Sequence, residues 1–355
     1  MPPKALIAMS GGVDSSVAAY LAAQNGFECA GITMKLFDIP DGAPGHPKSC
    51  CSLSDVNDAR DAAYKLGIPH YVLNMKKEFE HDVIGKFIRV YEEGGTPNPC
   101  IDCNRYVKFN TLMLRAREIA FDVLATGHYA RIEKSGGRLL LKKAIDTRKD
   151  QSYVLYMLTQ NQLENTFFPL GALKKDEVRA IAHERGFINA AKQDSQDICF
   201  VPDGNYAAFI ERWTNKKYGK GAILDIAGNT IGVHDGQIKY TIGQRRGLGI
   251  SAGVPLFVCA KSAQNNTVTL GIEETLYTQR LDARDINLIA FDVIPGKIKA
   301  GVKTRYTQEE AQAVVEQTSP DTFSVEFEKP QRAVARGQAA VLYDGDTVLG
   351  GGTIM

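Results

Sequence analysis

The chain has 355 residues, a formal net charge of +1, 44% hydrophobic and 23% charged residues. That length suits two or three domains, and so even a balance names no partner, so any nucleic-acid surface must be local. No apolar run approaches the ~18 residues of a helical membrane span, and the N-terminal run is too short for a signal peptide, so a cytoplasmic protein with no membrane partner is expected.

In chain order, "KALIAM" (4–9) reads as a buried strand and residues 14–24 as a helix. "CAGITMKLF" (29–37) is a second strand. "SDVNDARDAAYKLG" (54–67) is a helix, with Ser54 as its N-cap and Gly67 as its stop. "HYVLNM" is a strand, 110–120 a helix, and "DVLATGHYA" a strand ending in a loop. Strands alternating with helices imply an open parallel α/β sheet with helices on both faces. Its ligands belong beyond the carboxyl ends of the strands, where "SGGVDSS" and "TGHYAR" fall. After about residue 205 short strands and turn signals take over ("AGNT", "HDGQ", "QNNT", "IPGK", "YDGD"). The expected domains are 1–205, 206–280 and 281–355: an α/β domain, a small β-rich domain, and a terminal β-barrel.

"SGGVDSS" (10–16) sits between a strand and a helix. It offers backbone N–H groups, a positive helix end and the hydroxyls of Ser10, Ser15 and Ser16 to an anion. Gly11 and Gly12 permit close approach. A plain tight turn, capped by Asp14 or Ser15, is the alternative. No GxxxxGK[ST] occurs, so this is not a Walker A loop. The string resembles the pyrophosphate loop of the ATP pyrophosphatases, which split ATP between the α and β phosphates and adenylate a carbonyl oxygen.

The seven cysteines are 29, 50, 51, 100, 103, 199 and 259. An odd number in a reducing compartment argues for chemistry, metal or burial rather than a disulfide scaffold. Cys29 and Cys259 lie in apolar strand runs and read as core. Cys50 and Cys51 have no assigned role. "GGTPNPCIDCNRYVKF" (94–109), "AAKQDSQDICFVPDG" (190–204), "TGHYAR", "KDQSYVL" and "YTIGQRRGLGI" together resemble, almost end to end, the tRNA-specific 2-thiouridylases.

That resemblance implies ATP-dependent replacement of O2 by sulfur on the wobble uridine of lysine, glutamate and glutamine tRNAs. It places ATP on Ala8, Met9, Ser10, Gly11, Gly12, Val13, Asp14, Ser15 and Ser16, with Met34 and Gly127 near the adenosine. Asp14 is the expected Mg²⁺ contact. Cys199 would carry a persulfide and Cys103 would release its sulfur. Asn98, Pro99 and Cys100 would lie beside the target base, with His128 near it. Lys149, Asp150, Gln151, Arg305, Tyr306 and Gln338 would meet the RNA at its anticodon stem-loop. The sulfur donor would be a cysteine desulfurase or a relay protein.

Some family members carry aspartate where this chain has Cys100. Three thiolates at 100, 103 and 199 could instead hold a [4Fe–4S] cluster or zinc. Other readings of the phosphate loop are an amide-forming ATP pyrophosphatase and a non-catalytic nucleotide- or metal-holding RNA-binding protein. Between residues 212 and 246 there are seven basic and two acidic residues, with Trp213, Tyr218 and Tyr240 interleaved, a local excess suited to phosphates.

Overall fold

The computed structural model describes residues 1–37, 53–192 and 198–355. Cys50, Cys51 and the 194–197 part of "DSQDICF" lie outside them. The chain divides into two compact units. One comprises Met1–Ile84, Pro99–Gly204 and Asp346–Leu349; the other comprises Gly85–Asn98, Asn205–Gly345 and Gly350–Met355.

The first unit is built on the expected parallel sheet. Its strands are β1 (Lys4–Ala8), β2 (Glu28–Lys35), β3 (His70–Asn74), β4 (Val123–Thr126), β5 (Ala130–Ser135), β6 (Arg138–Lys143) and β7 (Thr166–Phe167). Five of them form one sheet in the order β3-β2-β1-β4-β7, and every pairing in it is parallel. Leu6, Ile7, Leu124 and Ala125 are fully or almost fully buried, as strands covered on both faces require. Helices α1 (Val13–Gln24) and α2 (Leu53–Lys65) present alanines inward: Ala18, Ala19, Ala22, Ala59, Ala62 and Ala63 are all buried in one core. Small side chains let the helices lie close to the sheet and to each other.

Strand order reverses between β1 and β4. The crevice beyond their carboxyl ends is therefore where this topology seats a ligand. It is lined by the segments after Ala8 and after Thr126.

Two local features differ from the sequence expectation. Strands β5 and β6 form an antiparallel hairpin across Gly136–Gly137, both at positive φ. In addition, the "NPCIDCN" string, which is given no element above, is helical. Pro99–Asp102 is an α-turn that runs into a wide π-helix over Cys103–Leu112, then α-helix again over Met113–Glu118. Pro99 occupies the first helical position, where its missing N–H costs nothing and its φ is already helical.

The second unit holds two β structures. A small mixed sheet joins Gly221–Leu224, Thr230–His234, Phe257–Ser262 and Thr267–Gly271. Ile223, Val258, Val268 and Leu270 fill its core. Beyond it, six strands from Tyr277–Leu288 to Thr347–Ile354 close into a barrel when Ala283 pairs with Ile354 and Leu288 with Gly350. Closure removes the free sheet edges.

Candidate active site

The "SGGVDSS" loop begins where β1 ends. Gly11 takes φ +74°, and a Cβ there would collide with the Asp55 carbonyl. Gly127, after β4, lies equally close: a Cβ would sit 2.9 Å from both the Asp14 carbonyl carbon and the Ser15 nitrogen. These two glycines let the strand ends converge on the start of α1. Met9 is buried and its carbonyl accepts from Thr33 Oγ1 at 2.8 Å. Met34 is half-buried at the end of β2.

The serines have different roles. Ser15 and Ser16 are buried, and both hydroxyls donate to the Gly12 carbonyl, at 2.9 and 3.3 Å. Ser15 Oγ also accepts from Ser10 N–H at 3.2 Å. They brace the loop from within, while Ser10 is exposed. The helix N-cap is Gly12, with no side-chain cap, so Asp14 is left for other work.

Both oxygens of Asp14 accept from Lys175 Nζ, at 2.8 and 2.9 Å, and one also accepts from Tyr129 Oη at 2.7 Å. Lys175 is 4% exposed. Its backbone N–H donates to Asp146 Oδ2 at 3.1 Å, which fixes the start of the helix Lys175–Glu184. The Asp146 carboxyl is held down to about 2, first by its side-chain bond with Arg148 and then by that Lys175 N–H. A buried ammonium is thus carried to Asp14 from 161 residues away. Lys175 does not stand out in the sequence, whereas Tyr129 lies within "TGHYAR".

Tyr129 is also the link to "KDQS". Its N–H donates to Gln151 Oε1 and its carbonyl accepts from Gln151 N–H, both at 2.9 Å. The Asp150 carboxylate accepts from Ala144 N, Ser152 N and Ser152 Oγ. Asp150 and Gln151 therefore shape the chain locally, and Lys149 is half-buried beside them.

His128 is 8% exposed. Its Nδ1 bonds Thr126 Oγ1 at 2.7 Å, and its ring lies 5.8 Å from both Phe109 and Phe168. Burial, then the Lys108 charge, push its pKa well below the ordinary 6.5. The folded state therefore keeps it neutral, and that contribution is complete above about pH 6.5 and lost as pH falls toward the depressed value. Unfolding across pH 5–7 should show it: relative to His128→Asn, the natural protein should lose stability below pH 6.5 at up to about 1.4 kcal/mol per pH unit. Parallel curves for the two proteins would refute the assignment.

Cys103 opens the wide helix and is half-buried; Cys100, one turn earlier, is exposed. Cys199 is half-buried and followed by the buried Phe200, whose ring meets Phe79 edge-on at 5.7 Å. Phe79 ends the short helix Lys76–Phe79, which also packs against Cys103–Leu112. The two cysteine segments therefore share a neighbour. Among the described residues, no three His, Cys, Asp or Glu side chains gather so as to hold a metal ion. Cys100, Cys103 and Cys199 are not gathered into such a group. Cys29 is buried, and burial raises its thiol to about 11; Cys259 is half-buried and shifted upward for the same reason. Both suit inert core positions.

In the second unit, Gln338 Nε2 donates to the carbonyls of Thr96 and Pro97, at 3.0 and 3.1 Å. It braces the backbone just ahead of Asn98, which is half-buried. Arg305 Nη2 donates to the carbonyls of Ile242 and Ala333, so this guanidinium anchors the "YTIGQRR" loop; Tyr306 is exposed. The basic excess over 212–246 is partly neutralised by acids outside that window. Lys217 and Lys239 pair with Glu211, and Lys216 with Glu92. Tyr218 Oη donates to Glu92 and Tyr240 is buried, whereas Trp213, Arg245 and Arg246 are exposed.

No helix among the described residues is long and apolar enough to cross a membrane. Residues 3–203 match the tRNA methyl transferase HUP domain family, 207–272 its PRC-barrel domain family, and 278–354 the aminomethyltransferase beta-barrel domain family. Among full-length relatives, the tRNA-specific 2-thiouridylase MnmA of Clostridioides difficile is 48% identical, covering 100% of this chain and 98% of its own. That of Clostridium kluyveri is 45% identical over 100% and 99%, and that of Lachnoclostridium phytofermentans 47% over 99% and 99%. With the glycine loop at the reversal of the sheet, the two cysteine segments and this end-to-end similarity together, the chain belongs to the tRNA-specific 2-thiouridylase family.

Proposed function

We infer that this protein is a tRNA-uridine 2-sulfurtransferase, which thiolates the wobble uridine of tRNA at the expense of ATP. The observation that carries the reading is the phosphate loop at the switch point, with Lys175 and Tyr129 converging on Asp14. Amide-like O2 is a poor leaving group. If it attacks the α phosphorus of ATP, pyrophosphate departs and O2 becomes part of an AMP ester. The loop N–H groups and the start of α1 supply donors for phosphate oxygens. Asp14 is the carboxylate proposed to hold Mg²⁺, which usually takes one or two carboxylates beside the phosphates and would neutralise their charge. Lys175, released from Asp14 in exchange, would face the same phosphates.

Sulfur follows. A persulfide on Cys199, loaded by a cysteine desulfurase or relay protein, is the nucleophile toward C2. The C2–S bond forms, the C2–O2 bond breaks, and AMP leaves with O2. Cys103 thiolate then attacks the Cys199 sulfur, which frees the thiocarbonyl and leaves a Cys103–Cys199 disulfide for a cellular thiol to reduce. The wobble base must leave its stack for this chemistry. Asn98, Pro99 and Cys100 are proposed to flank it. Lys149, Arg245 and Arg246 are the cations proposed for RNA phosphates. Such chemistry suits the cytoplasm, where thiols stay reduced.

The test is reconstitution with unmodified tRNA, ATP, Mg²⁺, a cysteine desulfurase and cysteine, read on a gel containing a mercury reagent. A retarded tRNA band that needs ATP is expected. No retarded band, or one that forms without ATP, would overturn the reading.

A further inference from the structure

The carbonyl of Gly11 is gripped by two side chains from the segment that leads to Cys199. Asn189 Nδ2 donates to it at 3.0 Å and Lys192 Nζ at 3.2 Å. Asn189 is 3% exposed, and the same Nδ2 also reaches Ser16 Oγ at 2.9 Å. Lys192 Nζ binds Asp55 Oδ1 and Asp58 Oδ2 on α2, both at 2.6 Å. An ammonium has three protons, and these three acceptors use them all. Burial would lower the Lys192 pKa, but the bonds to Asp55 and Asp58 more than reverse this, and it lies above its usual value.

The geometry has a consequence for the ligand face. In a trans peptide the carbonyl of one residue and the N–H of the next point in opposite directions. Holding Gly11 C=O inward therefore turns Gly12 N–H outward, to the side where a phosphate would lie. Gly11 itself sits against Asp55 at positive φ, so the peptide is held by backbone packing on one side and by two donors on the other. The buried Asn189 Oδ1 has no partner among the described residues. The amide is kept at this position although half of it is unsatisfied, which points to the Nδ2 bonds as its purpose.

We propose that Asn189 and Lys192 are positioning residues that set the phosphate loop for ATP through the Gly11 carbonyl, and that seating of residues 189–192 and loop occupancy are therefore linked. Linkage of this kind is reciprocal: whatever ATP gains from the grip, the segment gains from ATP. Cys199 follows Lys192 by seven positions, so the nucleotide and sulfur halves of the reaction meet in one stretch of chain. This inference rests on the reading that residues 10–16 hold ATP.

The test combines ATP titration with hydrogen exchange, using the full chain with Mg²⁺. In the natural protein ATP should slow exchange at residues 10–13 and also at 187–192. Lys192→Met should weaken ATP binding about tenfold, the loss of one charge-assisted hydrogen bond, and abolish ATP-dependent protection at 187–192. Asn189→Ala is read the same way should Lys192→Met fail to fold. If the natural protein binds no ATP, the reading of the loop falls and this inference with it. If it binds ATP and both variants match it in affinity and protection, only the grip on Gly11 is wrong.

Discussion

Cys199→Ser should leave no measurable thiolated tRNA, a loss of at least about a thousandfold, while ATP still releases pyrophosphate and leaves its AMP on the tRNA. A serine oxygen carries no sulfane sulfur, so the nucleophile is gone, yet the phosphate loop is untouched. The split between the two half-reactions distinguishes a chemical role from a structural one. Cys199 stands beside Phe200, whose packing on Phe79 holds the segment in both proteins. Cys103→Ser has a different signature. Mass spectrometry after desulfurase treatment should still find one extra sulfur atom on Cys199, but turnover should stop, because nothing attacks the Cys199 sulfur to free the product. Thiolation by Cys199→Ser at even a tenth of the natural rate would remove the persulfide from the scheme.

The second large effect is expected at Lys175. Its ammonium is almost wholly buried and donates twice to Asp14. Lys175→Met should slow pyrophosphate release by about 10²–10³-fold, the usual result of removing one preorganised charge from a group that develops negative charge. The loss should fall mainly on kcat, since pyrophosphate gains charge as it leaves, with a smaller rise in KM for ATP. Lys175→Arg should recover part of the rate, because the charge returns without the same reach. Asp14→Asn should also fail, although Lys175 keeps its place on the helix that Asp146 anchors. A Lys175→Met enzyme with the natural rate would show that this lysine only neutralises Asp14.

The sheet was legible because buried parallel strands announce themselves as short apolar runs between helices, and "SGGVDSS" because so few loops bring two glycines, a carboxylate and three hydroxyls together. The partners of that loop were not legible. Lys175, Asn189 and Lys192 lie more than 150 residues from it, and no local pattern separates a lysine that reaches a carboxylate from one that faces water. The β5–β6 hairpin was a missed signal: Gly136–Gly137 is a strong two-residue turn. Pro99 was another, since a proline opening "PCID" suits the first position of a helix. The basic stretch is less charged in the fold than it reads, for a simpler reason. Glu211 lies one residue outside it and Glu92 more than a hundred, and between them they neutralise three of its lysines.

The amide of Gln338 gives the carboxyl-terminal barrel a meaning beyond its own stability. With Thr96 N–H bonded to Arg336 O as well, the peptide entering Asn98–Pro99–Cys100 hangs from residues 336–338. A frameshift or premature stop that removed only the last twenty residues would spare every cysteine and the whole phosphate loop. It would nonetheless let go of the chain at Thr96 and Pro97, so residues 336–338 hold a segment outside the barrel.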